Sequence, residues 1–233
     1  MNNNLLRIKV QQRLNKLASE DYDNVECWQI AEAFNKAQIE WCRKQIHGKN
    51  QKQEGDESSK VLIDDMQKIL LETPLILTPA NRYYLSEELP ENYLFFKRLA
   101  VLSKSECCPS LPMRVRLDEV ANVDDLLADE NSKPSIEWGE TFCTLENNRV
   151  RIYTNNEFEV SKARLHYYRY PVEVEFEGCV NPRNDVIYTA DVECEFKNDI
   201  AELIIDEAVS ILAGDMELFN NYQRTKQTAQ DNN

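Results

Sequence analysis

RVRIYTNNEFEVSKARLHYYRY, residues 149–170, decides how this chain is read. Polar and apolar residues alternate through RVRIYT and again through ARLHYYRY, the two-residue period of a half-buried strand. Asn155-Asn156 stands between the two runs. Asparagine tolerates left-handed backbone geometry better than most residues, so the pair suits a hairpin turn. Upstream, IEWGETFCTL (136–145) joins RVRIYT through Glu146-Asn147-Asn148; downstream, Pro171 separates the tyrosine-rich run from VEVEFEG. LPMRVRLDEV (111–120) alternates in the same way, Met113, Val115 and Leu117 against Arg114 and Arg116. Together these runs predict an antiparallel sheet, or a small sandwich-like or barrel-like domain, of about five to seven strands. The acidic stretch Asn122–Glu130 reads as a loop or a short helical turn.

Outside this region the period changes to that of helices. Leu6, Val10, Leu14 and Leu17 share one face of a segment over 5–18,. Asp23 is placed to cap a second helix, with Glu26 three residues on as its capping box,. In that helix Ile30, Phe34, Ala37 and Trp41 form a stripe that Trp28 and Ile39 broaden, and Gly48 is expected to end it. KNQKQEGDESS (49–59) has no apolar residue and reads as an exposed loop,. Ser59 is placed to start a short helix with Leu62, Met66 and Ile69 inward, ending before Pro74. LILTP (75–79) looks like a strand, while ENYLFFKRLAVLS (91–103) suits either a strand pair or a helix.

At the other end Asp199 and Glu202 repeat the capping-box pattern,. Ile200, Ile204, Ala208 and Ile211 make one stripe, widened by Leu203, Val209 and Leu212 into a face that wants burial on more than one side,. Gly214-Asp215 is a point for a kink or break, after which Leu218, Phe219 and Tyr222 resume the apolar face. The fold class expected is therefore α+β, with N-terminal amphipathic helices, a central antiparallel β-domain and a C-terminal helix. The expected divisions are a helical region over 1–74, a mainly β region over 75–195, a helix over 196–224 and a polar tail over 225–233 with no need to pack.

Composition narrows the function classes. The chain has 233 residues, 42% of them hydrophobic and 29% charged, with only 5 glycines and 8 prolines, which is the composition of a folded protein,. No apolar run approaches the roughly 20 residues that span a bilayer. MNNNLLRIKV lacks the features of a secretory signal, so synthesis and retention in the cytoplasm are expected, with no membrane partner,. A net charge of −14 opposes wrapping around phosphate backbones and favours a protein partner,. Cys27, Cys42, Cys107, Cys108, Cys143, Cys179 and Cys194 are scattered without a C-x-x-C pair. They read as reduced small hydrophobes rather than metal ligands or disulfide partners.

Chemical signatures are sparse. The glycines are isolated, so no phosphate-cradling loop exists, and neither a metal nor a cofactor site is expected,. His47 reads as a helix-end residue and His166 as a sheet-face residue,. Asp185, Asp191, Glu195 and Lys197 offer the one enzymatic alternative, a Mg²⁺-dependent nuclease, against which the net charge stands,. Tyr167, Tyr168, Arg169 and Tyr170 suit a protein contact, sheet packing or, less well, base or sugar stacking,. Trp28, Trp41 and Trp138 read as core or interface anchors.

DYDNVECWQIAEAFNKAQIEWCRKQ (21–45), ARLHYYRYPVEVEF (163–176) and AELIIDEAVSILAGDMELFNNYQR (201–224), in this order, resemble the head-to-tail connector or ring proteins of tailed bacteriophages. The likeness is nearest to the ring-forming neck and tail proteins of crAss-like phages of gut Bacteroidales. It implies a non-enzymatic virion subunit, in a dodecameric ring near the portal protein and other ring or tail proteins, with DNA passing through without sequence-specific binding. Under it Tyr168, Arg169, Tyr170 and Pro171 fall in the strand motif, and Ile204, Ala208 and Ile211 in the terminal helix; no catalytic residues carry over. Trp28, Phe34, Trp41 and Tyr222 complete the set of contact candidates. An assembly chaperone or protein-binding module is the alternative. A ring needs two different faces per subunit, which end helices beside a sheet supply, and acidic residues lining its channel would let DNA slide.

Overall fold

The computed structural model describes residues 1–15, 25–47, 64–104, 110–182, 185–215 and 226–230. The chain forms two compact units, one of Met1–Lys68 with Pro171–Asn233 and one of Ile69–Tyr170. The expected α+β class holds, with helices at both ends and strands between. The β unit ends at Tyr170, so residues 171–195, grouped with the strands from sequence, belong with the helices.

In the helical unit, α1 (Asn3–Asn15) and α2 (Cys27–Ile46) pack with α4 (Asn198–Asp215). Leu6, Val10 and Leu14 of α1, Ile30, Phe34, Ala37 and Trp41 of α2, and Ile200, Ile204, Ile205 and Ala208 of α4 are all buried. The wide face of α4 meets both α1 and α2, which is how it finds burial on more than one side,. Lys9 and Arg13 of α1 hold Glu202, Arg13 reaches Asp206 at 2.8 Å, and Lys44 of α2 reaches Glu207 at 2.7 Å. Two expected caps are corrected. The capping box of α2 is Glu26 with Gln29, whose Oε1 accepts the Glu26 N–H at 3.0 Å. The helix therefore starts one turn later than an Asp23 cap implies, and Asp23 lies outside the described residues. In α4 the Ala201 N–H already donates to the Lys197 carbonyl at 2.9 Å, so Asp199 sits inside the first turn.

Leu17, Gly48, the loop 49–59, Leu62, Leu218, Phe219 and Tyr222 also lie outside the described residues. Residues 226–230 are helical and Ala229 is buried, so that part of the polar tail does pack.

Residues 171–182 and 185–197 form a strap rather than the expected strand at PVEVEFEG. One isolated bridge, Glu175 to Val192, and the short ribbon β9 (Val180–Asn181) with β10 (Val186–Ile187) are its ladder contacts. Backbone bonds from the Gly178 N–H to the Tyr188 carbonyl at 2.9 Å and from the Tyr188 N–H to the Cys179 carbonyl at 3.1 Å extend that ribbon, and side chains hold the backbone around Val172, Val174 and Glu177,. Asn35 bonds both backbone groups of Val174, Glu195 Oε1 accepts the Val172 N–H at 2.9 Å, and Asn3 Nδ2 donates to the carbonyls of Glu175 and Val192. Val174, Phe176, Cys194 and Phe196 point inward, the last in edge contact with Trp41 at 5.2 Å.

A disulfide joins Cys27, the first residue of α2, to Cys179 in the strap, with Cα atoms 6.0 Å apart. This corrects the expectation of uniformly reduced cysteines; partners separated by 152 positions leave no spacing signal. Cys42, Cys143 and Cys194 are buried free thiols, as expected, and burial pushes Cys42 and Cys143 up to about 12, keeping them neutral,. Cys107 and Cys108 lie outside the described residues.

The β unit is one eight-stranded sheet in the order β1-β8-β4-β5-β6-β7-β3-β2. Its strands are β1 (Leu70–Leu75), β2 (Leu77–Pro79), β3 (Tyr83–Glu88), β4 (Tyr93–Lys104), β5 (Leu111–Leu117), β6 (Glu140–Glu146), β7 (Arg149–Tyr153) and β8 (Glu159–Arg169). Strand β4 resolves the ambiguity over ENYLFFKRLAVLS as one long strand. β1 and β2 occupy opposite edges of the sheet, yet only Ile76 separates them in the chain. One run of backbone thus borders both edges, and the sheet nearly closes into a barrel. Pro74, expected beyond a helix, lies inside β1 at this edge, where a missing N–H is tolerated,. The sheet is mixed rather than wholly antiparallel, because β5 and β6 run parallel. Their connection includes a 3-10 turn at Val120–Asn122 and α3 (Val123–Ala128).

Asn147, Asn148, Asn155 and Asn156 all have positive φ, so the two asparagine pairs make the turns their residue type favours,. Leu99, Val101, Met113, Cys143, Val150, Ile152, Ala163, Leu165 and Tyr167 form the interior of the barrel.

Candidate interaction surfaces

The candidates named from sequence divide by burial. Phe34, Trp41, Ile204 and Ala208 are engaged in the helical core, and Tyr168 is buried in β8. Trp28, Arg169 and Ile211 are half-buried, and Tyr170 is exposed. In the β unit the Tyr170 N–H donates to the Asn92 carbonyl at 2.8 Å, which pins the end of β8 beside the start of β4. Tyr167 donates its hydroxyl to Asn92 Oδ1 at 2.9 Å and stacks on Tyr93 with centroids 5.7 Å apart. Tyr167 and the Tyr170 backbone therefore serve the barrel, and Tyr170 alone of the run's tyrosines is exposed, at 39%.

Three of the four residues considered for metal chemistry, Lys197, Asp191 and Glu195, are used for architecture. Lys197 pairs with Asp64 and with Asp65 at 3.1 Å, and those partners, Asp64 foremost, raise its pKa. Asp191 Oδ1 accepts the Glu177 N–H at 2.9 Å and an Asn3 N–H at 3.1 Å; these bonds, the backbone one first, lower its pKa. Glu195 secures Val172. Asp185 is exposed in the turn before β10. Among the described residues no group of three or more His, Cys, Asp or Glu side chains is arranged to hold a metal ion. Among the same residues no helix is long and apolar enough to cross a membrane.

Several large apolar side chains also stand uncovered. Trp138 is 78% exposed, and it is not on a loose end. Ser135 and Glu140 exchange backbone hydrogen bonds of 2.9 and 3.1 Å around it, the Gly139 N–H closes onto the Ile136 carbonyl at 3.2 Å, and Gly139 takes the positive φ that the reversal requires,. Ile76, at the join of β1 and β2, is 65% exposed. On the helical unit, Leu5 and Ile8 project from α1 on the side away from Leu6 and Val10, and Val180, Val186 and Ile187 project from the ribbon of the strap. The sequence raised Trp138 only as an undifferentiated anchor, and Leu5 and Ile8 not at all; a second apolar stripe on a short helix shows only once the first has been assigned to the core.

The chain matches no known protein family and no curated protein.

Proposed function

We propose that this protein is a structural subunit of a connector or tail ring at the head–tail junction of a tailed phage. In this reading copies of the chain form a homo-oligomeric, dodecameric ring in the virion, between portal protein and other ring proteins, with DNA passing through it. The observation that carries the reading is Trp138, a nearly bare indole on a hydrogen-bonded turn. Exposing a tryptophan costs apolar burial, while fixing it in advance lowers the ordering cost of an interface. Such residues are the anchors that dominate protein contacts, each worth about 2 kcal/mol or more. The resemblance of the helix–β–helix sequence to ring proteins supplies the kind of assembly. The exposed apolar residues on each unit supply the two unlike faces that ring closure needs,.

The test is the composition and reconstruction of the particle. The expected result is this polypeptide in a ring at the neck or tail, with Trp138→Glu folding at the wild-type Tm yet failing to incorporate. Mature particles without the polypeptide would sink the proposal, and would favour an assembly chaperone if the chain is found only on unfinished particles.

A further inference from the structure

The outer wall of the barrel carries a positive face in a chain of net charge −14. In the ladder between β4 and β8, Leu102 faces Lys162, Ala100 faces Arg164 and Arg98 faces His166, while Ala100 faces Arg114 on β5. The intervening residues Leu99, Val101, Met113, Ala163 and Leu165 are buried in the interior, so the opposite set points outward,. Arg98, Arg114, Arg116, Lys162 and Arg164 are all exposed. Side chains two apart on a strand are about 6.7 Å apart and adjacent strands about 4.8 Å, so five cations share one compact area. Two carboxylates border it, Glu72 at 2.8 Å from Arg164 and Glu140 at 3.4 Å from Arg114.

The helical unit presents the opposite charge with the same period. Along the strap, Val174 and Phe176 are buried while Glu173 and Glu177 are exposed; Cys194 and Phe196 are buried while Glu193 is exposed. The bridge between Glu175 and Val192 sets these two acidic segments side by side.

We propose that the basic barrel wall docks the acidic strap of a second copy of this chain. The inference rests on the ring reading and names the contact that propagates it. Complementary patches steer association and fix register. Wall against wall and strap against strap both repel, so pairing of like patches is opposed and the wall-to-strap contact is the one left favourable. A polyanion would also meet the wall, but it would have to approach a strongly acidic molecule.

Reciprocal charge reversal in the full-length protein tests this by sedimentation across a salt series. One variant is R98E/R116E/K162E, the other E173K/E177K/E193K; none of these side chains is buried. The expected result is self-association of the wild type that falls with salt and is weakened about tenfold or more in each variant. Mixing the two variants, or combining all six changes in one chain, restores it. Wild-type association left intact in both variants overturns this contact while leaving ring formation standing. A wild type that stays monomeric at low salt also overturns it, and the ring reading is then decided by particle composition. Binding of duplex DNA that is lost in the first variant, with no rescue of self-association on mixing, reassigns the wall to nucleic acid.

Discussion

Asn35 holds the backbone of Val174 by both of its polar groups: Asn35 Nδ2 donates to the Val174 carbonyl at 3.1 Å, and Asn35 Oδ1 accepts the Val174 N–H at 2.8 Å. A side chain here replaces the neighbouring strand that the alternating sequence VEVEFEG predicts. Val174 is buried, so Asn35→Ala leaves an unsatisfied donor and acceptor and is expected to cost about 1–3 kcal/mol,. Asn35→Asp keeps the acceptor but turns a carboxylate oxygen toward the Val174 carbonyl, and is expected to cost at least as much,. Urea unfolding midpoints of the two variants check the order; equal midpoints for Asn35→Ala and wild type would remove the strap's main tether from the account.

The bond between Cys27 and Cys179 closes a loop across 152 positions. A cross-link of that span restricts the unfolded chain, and its loss typically costs about 2–5 kcal/mol. Addition of reductant is expected to lower the Tm of the wild type and to leave that of Cys27→Ala/Cys179→Ala unchanged. Peptide mapping without reduction should recover the two cysteines in one linked fragment. Reductant-insensitive melting of the wild type would contradict the pairing.

The features legible in the sequence are those fixed within a few residues. The core stripe of α2, the asparagine turns and the helix-end position of His47 follow from local backbone preference and period, and each appears where expected. Interactions across long separations left no such trace. The strap resembles a strand because Val174 and Phe176 alternate with glutamates, yet its partners are Asn3 and Asn35 in the helices. The near-closure of the sheet depends on Ile76 joining two opposite edges, and the parallel pairing of β5 with β6 on a connection through α3. Of the surface candidates, Tyr170 remains accessible, whereas Phe34 and Ile204 turned inward because the same apolar stripe serves a core and an interface equally well.

Asp191 ties the first turn of α1, through Asn3, to the strap at Glu177. The Glu177 N–H and then Asn3 lower its pKa, so the charged form is favoured in the folded state,. Stabilisation from this group is therefore present above the ordinary aspartate range and is lost as pH falls through the depressed folded-state value. Asp191→Asn is expected to melt lower than wild type at neutral pH, with the gap closing on acidification. Tm measured from neutral to strongly acidic pH checks the sign; a gap that widens toward acid would contradict it.

Ile204 and Ile211 lie on the same helix but have different surroundings, the first fully buried and the second half-buried. Ile204→Ala removes packed methyl groups from between three helices and is expected to cost about 2–5 kcal/mol. Ile211→Ala, with one side already open, is expected to cost about 1 kcal/mol or less. Substitution by aspartate sharpens the contrast: Ile204→Asp buries an unpaired charge and should not fold, whereas Ile211→Asp should fold and keep most of its thermal stability. Of these two residues only Ile211 retains surface with which to meet another molecule. Loss of assembly by a folded Ile211→Asp protein would place that surface in a subunit contact, and full assembly would confine the helix to its own unit.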